Sequence, residues 1–399
     1  MNFSDNAMCA ILLCSYLGIK NGEAAKPLSL GEWNDFLDKI VAIKKEPGEI
    51  LNNDFDLVSQ LAFSNSHMER IKSLVSRGAN VAFELDDLEK KGIRLVTIFD
   101  TDYPVLLRRR LKQKMPPVLY YAGNINLSKK IGIAVVGSRN VDQDGIKFTR
   151  KLVEKAAEEK LVIYSGGARG VDTISEETAL NSGSAVVSYV ADSILSKIKK
   201  KEILSNIMSG RLLLISDVRP EIGFSAARAM NRNKYIYASA YAAFVISSDY
   251  NKGGTWNGAT EAMRNGWTKT FVWNHPNYSG NLRLIEKGAI PYDLTNEKIY
   301  YVITKKEHEY NQLDLFSMSK NVAVRESKNE YNAGIEKNQE STDLYDVVKA
   351  YIVEHLNEGM SMEDASKKFH VAKGQMGTWL KRLCKESLVE CRQGIYTKS

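Results

Sequence analysis

Between residues 131 and 173 the spacing of apolar positions changes twice. Residues 131–136 form a continuous apolar run that ends at Gly137-Ser138-Arg139. The next stretch keeps Phe148, Leu152 and Ala156 on one face, and a second apolar run ends at Ser165-Gly166-Gly167-Ala168-Arg169-Gly170. Two short buried runs separated by an amphipathic one predict a strand–helix–strand unit with a glycine-bearing turn after each strand. The alternation continues to about residue 304: helix over 171–181, strand 185–190, helix 195–208, strand 212–216, helix 226–238, strand 242–247, helix 256–265 and strand 270–273. That order predicts an α/β fold, a Rossmann-like doubly wound and mostly parallel sheet with helices on both faces.

The flanks follow other patterns. Residues 1–92 read as a helical domain: Leu30, Trp33, Leu37, Ile40 and Val41 recur at helical spacing, 57–63 and 68–75 continue in kind, and Gly18 and Gly78 stand where helices stop. Those stops fit either helix-hairpin-helix units on a DNA backbone or a packing domain without a ligand. From Gly92 to Gly123 short β-rich segments lead into the central unit, and Pro116 and Pro117, which lack ladder donors, suit the entrance to a sheet edge. The α/β domain is bounded at 93–304. Residues 305–342 lose apolar periodicity and read as a flexible linker. Residues 343–399 resume with three helices, the second capped by Ser361, and a strand–turn–strand at 388–397, the pattern of a winged helix. Its third helix carries Lys373, Gln375, Thr378, Lys381 and Arg382, suited to duplex DNA or to protein docking.

Composition narrows the classes. The chain has 55 Lys+Arg against 48 Asp+Glu, a net charge of +7, which permits nucleic-acid binding without demanding it. Cys9, Cys14, Cys384 and Cys391 form no C-x-x-C pair, so neither a disulfide framework nor a zinc site is expected, and a reducing cytoplasm fits. The apolar stretch 8–19 is too short to span a bilayer, so no membrane association is expected.

The strand-end turns carry the candidate chemistry. In an open parallel sheet they face one crevice. Glycines let backbone N–H groups approach an anion, the following helix offers its positive end, and Arg139 and Arg169 add bidentate phosphate donors. A third turn, Lys252-Gly253-Gly254-Thr255, precedes another helix, and Arg232-Asn233-Lys234 adds more cations. The same glycines also serve ordinary tight turns. Neither G-x-G-x-x-G nor G-x-x-x-x-G-K-[ST] occurs, so neither a dehydrogenase nor an ATP-driven motor is expected, and no cofactor or metal. Such a groove suits a phosphate backbone. Tyr235, Tyr237 and Trp256 are either base-stacking platforms or buried helix-face residues.

Taken in order, Gly137-Ser138-Arg139, the string 165–172, Leu214-Ile215-Ser216-Asp217, Arg232-Asn233-Lys234, Gly253-Gly254-Thr255 and Gly280-Asn281 with Leu284-Ile285 resemble the DNA-processing protein A family, with Tyr103-Pro104 and Pro117-Val118-Leu119-Tyr120 matching its lead-in. The resemblance implies a non-enzymatic, homodimeric protein that binds single-stranded DNA and hands it to a RecA-type recombinase. On it, Arg139 holds a phosphate, Gly137 and Ser138 present the turn, Arg169 stands at the rim, and Arg232 and Lys234 occupy the family's R-N-R positions. The chain departs from the pattern at Gly167 (leucine in the family), Lys234 (arginine), Trp256-Asn257-Gly258 and Ala229-Met230 (phenylalanine-proline), which marks a divergent branch. In the linker, Gln312-Leu313-Asp314-Leu315-Phe316 resembles the sliding-clamp-binding pentapeptide; the other reading docks it on the protein's own sheet. Two further readings stand. Gly253-Gly254-Thr255 followed by Glu261 resembles the phosphoribohydrolase motif, with Glu261 acting on a ribose. A divergent member would also serve as a regulator of a toxin partner in phage defence.

Overall fold

The structure, a computed structural model, describes residues 1–19, 26–52, 55–304, 349, 352–353, 356, 359–369, 371, 373–392 and 394–398. The predicted linker 305–342 and the pentapeptide Gln312–Phe316 lie outside the described residues. The chain divides into two units, Met1–Arg325 and Glu326–Ser399.

The first unit begins with helices α1 (Asp5–Cys14), α2 (Leu30–Ala42), α3 (Phe55–Gln60), α4 (Asn65–Val75) and α5 (Gly78–Lys90). Local chemistry sets their starts. The Ser4 hydroxyl accepts from the Ala7 N–H, and Ser29 and Glu32 close a reciprocal capping box on α2. Gly18, at φ +71°, stands in a turn beyond the end of α1, which Ser15 caps, and Gly78 opens α5, so neither glycine is the expected helix stop. The apolar stretch 8–19 is packed inside this unit. Among the described residues no helix is long and apolar enough to cross a membrane.

There follow β1 (Arg94–Thr97), α6 (Val105–Leu111), β2 (Val118–Gly123), β3 (Gly132–Val136), α7 (Gln143–Glu158), β4 (Val162–Ser165), α8 (Val171–Asn181), β5 (Val186–Tyr189), α9 (Ile194–Lys197), α10 (Lys201–Met208), β6 (Leu212–Ser216), α11 (Ala226–Ser239), β7 (Ala242–Val245), α12 (Gly253–Arg264), β8 (Lys269–Trp273), α13 (Ser279–Glu286), β9 (Ile290–Tyr292) and α14 (Ile299–Thr304). The nine strands form one sheet in the order β1-β2-β6-β5-β4-β3-β7-β8-β9. From β6 to β9 neighbours are parallel, and β2 and β1 extend the sheet beyond β6, the expected extension, in antiparallel sense. The expected single helix over 195–208 is two, since α9 ends at the Ile198 cap and the backbone at Lys200 is extended before α10 begins; the short edge strand β9 carries no apolar run and escapes sequence reading.

Alternation along the strands divides the core. In β3, Ile133 and Val135 face one apolar cluster with Phe148 and Leu152 of α7 and the N-terminal helices. Ala134 and Val136 face a second, with Leu107 of α6, Ile236 of α11 and Trp256 of α12. The helical residues 1–90 thus share a core with one face of the sheet. The winding places a topological switch between β3 and β7: from β3 the chain moves outward through β4, β5 and β6, then returns to β7 on β3's other side. Ligand crevices in open α/β sheets form there, outside the strands' carboxyl ends.

The second unit has α15 (Met362–Lys368), α16 (Lys373–Lys385) and an antiparallel sheet of β10 (Met360–Ser361), β12 (Ile395–Lys398) and β11 (Val389–Arg392), in that order. Met376, Leu380 and Leu383 of α16 form its core with Ala365 and Val389. Ser361 caps α15, accepting from the Asp364 N–H at 3.2 Å, as its sequence position predicts.

Candidate nucleic-acid interface

At the β3/β7 switch lies a crevice of about 360 Å³, lined by Gly137, Ser138 and Arg139 from the turn after β3, Arg232 and Asn233 from α11, and Ser248, Asp249 and Lys252 to Thr255 from the segment entering α12. The expected turns after β3 and β7 therefore converge, and α11 supplies the floor. Arg139 and Lys252 are exposed at the rim. Ala226 and Gly253, the first residues of α11 and α12, also line it. Neither helix has a side-chain cap or an acidic residue in its first turn, so both positive ends are left to the crevice.

Arg232 is the buried cation, with 4% of its surface exposed. Its Nη1 lies 3.6 Å from Asp172 Oδ2, and its Nε and Nη1 make no hydrogen bond. Burial pushes the Asp172 carboxyl up, and the Arg232 charge opposes that shift. Gly166 makes room for this guanidinium: a Cβ there would stand 1.2 Å from Nη1.

Most of the turn after β4 is spent inside the protein, with only Ala168 reaching the crevice lining. Ser165 is fully buried and its hydroxyl donates to Val135 O at 3.1 Å. The Gly167 N–H donates to Glu176 Oε1 at 2.8 Å, and the Ser188 hydroxyl to the same oxygen at 2.7 Å. Burial raises the Glu176 carboxyl to about 7. Gly170, at φ +86°, lies so close to the β3 turn that a Cβ would come within 2.4 Å of Ser138 O. Arg169 is exposed but does not line the crevice.

Lys234 also lies away from the crevice lining, and helix geometry explains why. Two residues along α11 turn the side chain by about 200° from Arg232. Its Nζ donates to Asn231 Oδ1 at 2.8 Å and sits 5.1 Å from the Tyr235 ring centroid, and burial pushes the ammonium down. Tyr235, Tyr237 and Trp256 are all buried and offer no stacking face. Sequence reasoning missed the aromatic residues that are exposed, Phe224 beneath the Arg139 guanidinium at 5.5 Å and Tyr250 against Trp256 at 5.2 Å. Neither sits in a periodic element, and no pattern marked them.

Glu261, the candidate base of the ribose-processing reading, does not line the crevice; its charge acts on Lys234. Asn281 is architectural. It is fully buried, its Nδ2 donates to Ile246 O and Trp273 O at 2.8 and 3.0 Å, and its Oδ1 accepts from the Ser248 hydroxyl at 2.9 Å. Among the described residues no cluster of histidine, cysteine or carboxylate side chains is arranged to hold a metal.

The chain is similar to the DNA processing protein DprA of Streptococcus pneumoniae, 33% identical over 145 residues that make up 35% of this chain and 50% of that one. It is also similar to the DprA of Bacillus subtilis, 25% identical over 205 residues, 50% of this chain and 68% of the relative. The chain spans about half the length of most of the curated relatives it matches. The X-ray structure of the S. pneumoniae protein shares the fold with a TM-score of 0.51 and 21% identity, covering 73% of this chain and 95% of that one. Residues 94–303, more than half of the chain, match the model of the family described as DNA recombination-mediator protein A, and the chain belongs to that family.

Proposed function

We propose that the β3/β7 crevice binds the phosphate backbone of single-stranded DNA and that the protein acts by presenting the strand, without chemistry of its own, to a recombinase of the RecA type. The observation that carries the reading is Arg232, a buried guanidinium on the crevice floor with donor hydrogens left over after its ion pair. A buried, incompletely paired cation is costly unless an anion completes it. Two uncapped helix ends and the exposed Arg139 and Lys252 add further phosphate donors. Phe224, exposed beside Arg139, supplies the stacking face that the buried tyrosines do not. Among the described residues of the second unit, the helices α15 and α16 and a three-stranded antiparallel sheet support the winged-helix reading; homodimerisation remains part of the same proposal.

The test is a salt-dependent titration of the full chain and its Arg139→Ala variant against single-stranded DNA, duplex DNA and nucleoside monophosphates. The single strand should bind most tightly, and the variant should lose about 0.7 from the slope of log K against log salt, the share of one phosphate contact. Equal slopes for the two proteins would remove Arg139 from the site. Binding confined to a monophosphate would replace the strand reading with a nucleotide one.

A further inference from the structure

A second concavity, about 850 Å³, opens at the amino-terminal ends of β7 and β8, at the far end of the sheet from the crevice. It is lined by Arg109, Arg110, Lys112, Lys114 and Lys269, and among the described residues no carboxylate lines it. The basic loop after α6 is braced on two sides. Arg110 Nη1 donates to Ala238 O and Ala240 O at the end of α11, and Asn34 Nδ2 of α2 donates to Gln113 O at 2.9 Å. Lys269 is tied to Ile303 O at 2.9 Å and Lys114 to Asn265 Oδ1 at 3.4 Å, while Arg109, Lys112 and Lys114 are exposed.

The two concavities are joined by helices. α11 and α12 begin at the crevice, with Ala226 and Gly253, and end at the groove, with the carbonyls that hold Arg110 and with Asn265 and Gly266. At about 1.5 Å per residue these helices bridge roughly 20 Å. Lys234 stands midway along α11, and the Lys114 charge acts on it, so the cations run from one concavity to the other with Glu261 as an acidic neighbour.

We propose that the groove is a second phosphate-backbone site, which takes the length of single strand that leaves the crevice. The proposal rests on the crevice reading and adds a site to it. Its logic is electrostatic: Lys112 and Lys114, exposed on a braced loop, offer two phosphate contacts whose counterions a polyanion releases.

The experiment compares oligothymidylates of about 5 and about 15 nucleotides, lengths at the two ends of common single-strand site sizes, on the full chain, on Lys112→Gln/Lys114→Gln and on Arg139→Ala. Both lysines are exposed, and a urea midpoint equal to that of the unmodified protein checks the fold. The lysine variant should bind the longer strand about tenfold more weakly, with a salt slope lower by about 1.4, and the shorter strand as before. An unchanged affinity for the longer strand overturns the second site, and so does an equal loss on both lengths. Arg139→Ala should lose affinity for both; if it loses neither, the crevice reading fails on its own evidence.

Discussion

The turns after β3 and β4 end neighbouring strands and each carry an arginine, with one glycine at 137–139 and three at 165–170, yet they meet different surroundings. Gly137-Ser138-Arg139 lines the crevice throughout, while 165–170 reaches it only at Ala168, leaves Arg169 exposed and otherwise packs inside: Ser165 on Val135 O, Gly167 on Glu176, Gly170 against Ser138 and Gly166 beneath Arg232. The first turn lies at the β3/β7 switch, and the second lies one strand away from it. Composition alone does not separate a ligand turn from a supporting one; position relative to the switch does.

The largest effect should come from the support. Arg232→Ala leaves Asp172 buried without its cation and should destabilise the fold by roughly 3–5 kcal/mol in urea unfolding; a loss below about 1 kcal/mol would mean that the pair is not structural. Gly166→Ala drives a methyl group into the guanidinium and should cost roughly 1–3 kcal/mol, whereas Gly223→Ala, with nothing within 4 Å of the added carbon, should cost little. If both glycine variants behave alike, the packing of Gly166 on Arg232 does not hold.

A smaller effect concerns Glu176. Its folded-state carboxyl is raised to about 7 from an ordinary 4.5, so between those values the folded protein holds a proton that the unfolded chain has released. Stability from this group is therefore greatest below about 4.5, falls as pH rises, and is fully lost above about 7. Glu176→Gln keeps an acceptor for the Gly167 N–H and should flatten that part of the stability profile, read from melting temperatures across pH 4.5 to 7. An unaltered profile would show that another group sets it.

Much of this was legible in the chain. Apolar runs marked β3 through β8, because burial on both faces of a parallel strand leaves a continuous signal; the prolines at 116 and 117 marked an edge extension of the sheet but not its antiparallel sense. Arg139, Asn233 and the Lys252–Thr255 turn reached the crevice as their positions suggested. Lys234 did not, although the 3.6-residue period already separates it from Arg232. Phe224, Tyr250 and the basic loop at 112–114 depend on which distant segments meet, and that information is not local.

The contact between Gly170 and Ser138 also bears on how fast a ligand is held and released. Because the α-carbon of Gly170 lies against the β3 turn, the wall that carries Arg139 is fixed by its neighbour before any ligand arrives. Little chain entropy is then spent at the moment of contact. For such a pre-shaped site, arrival is governed by diffusion and charge, and changes along the crevice alter mainly the residence time.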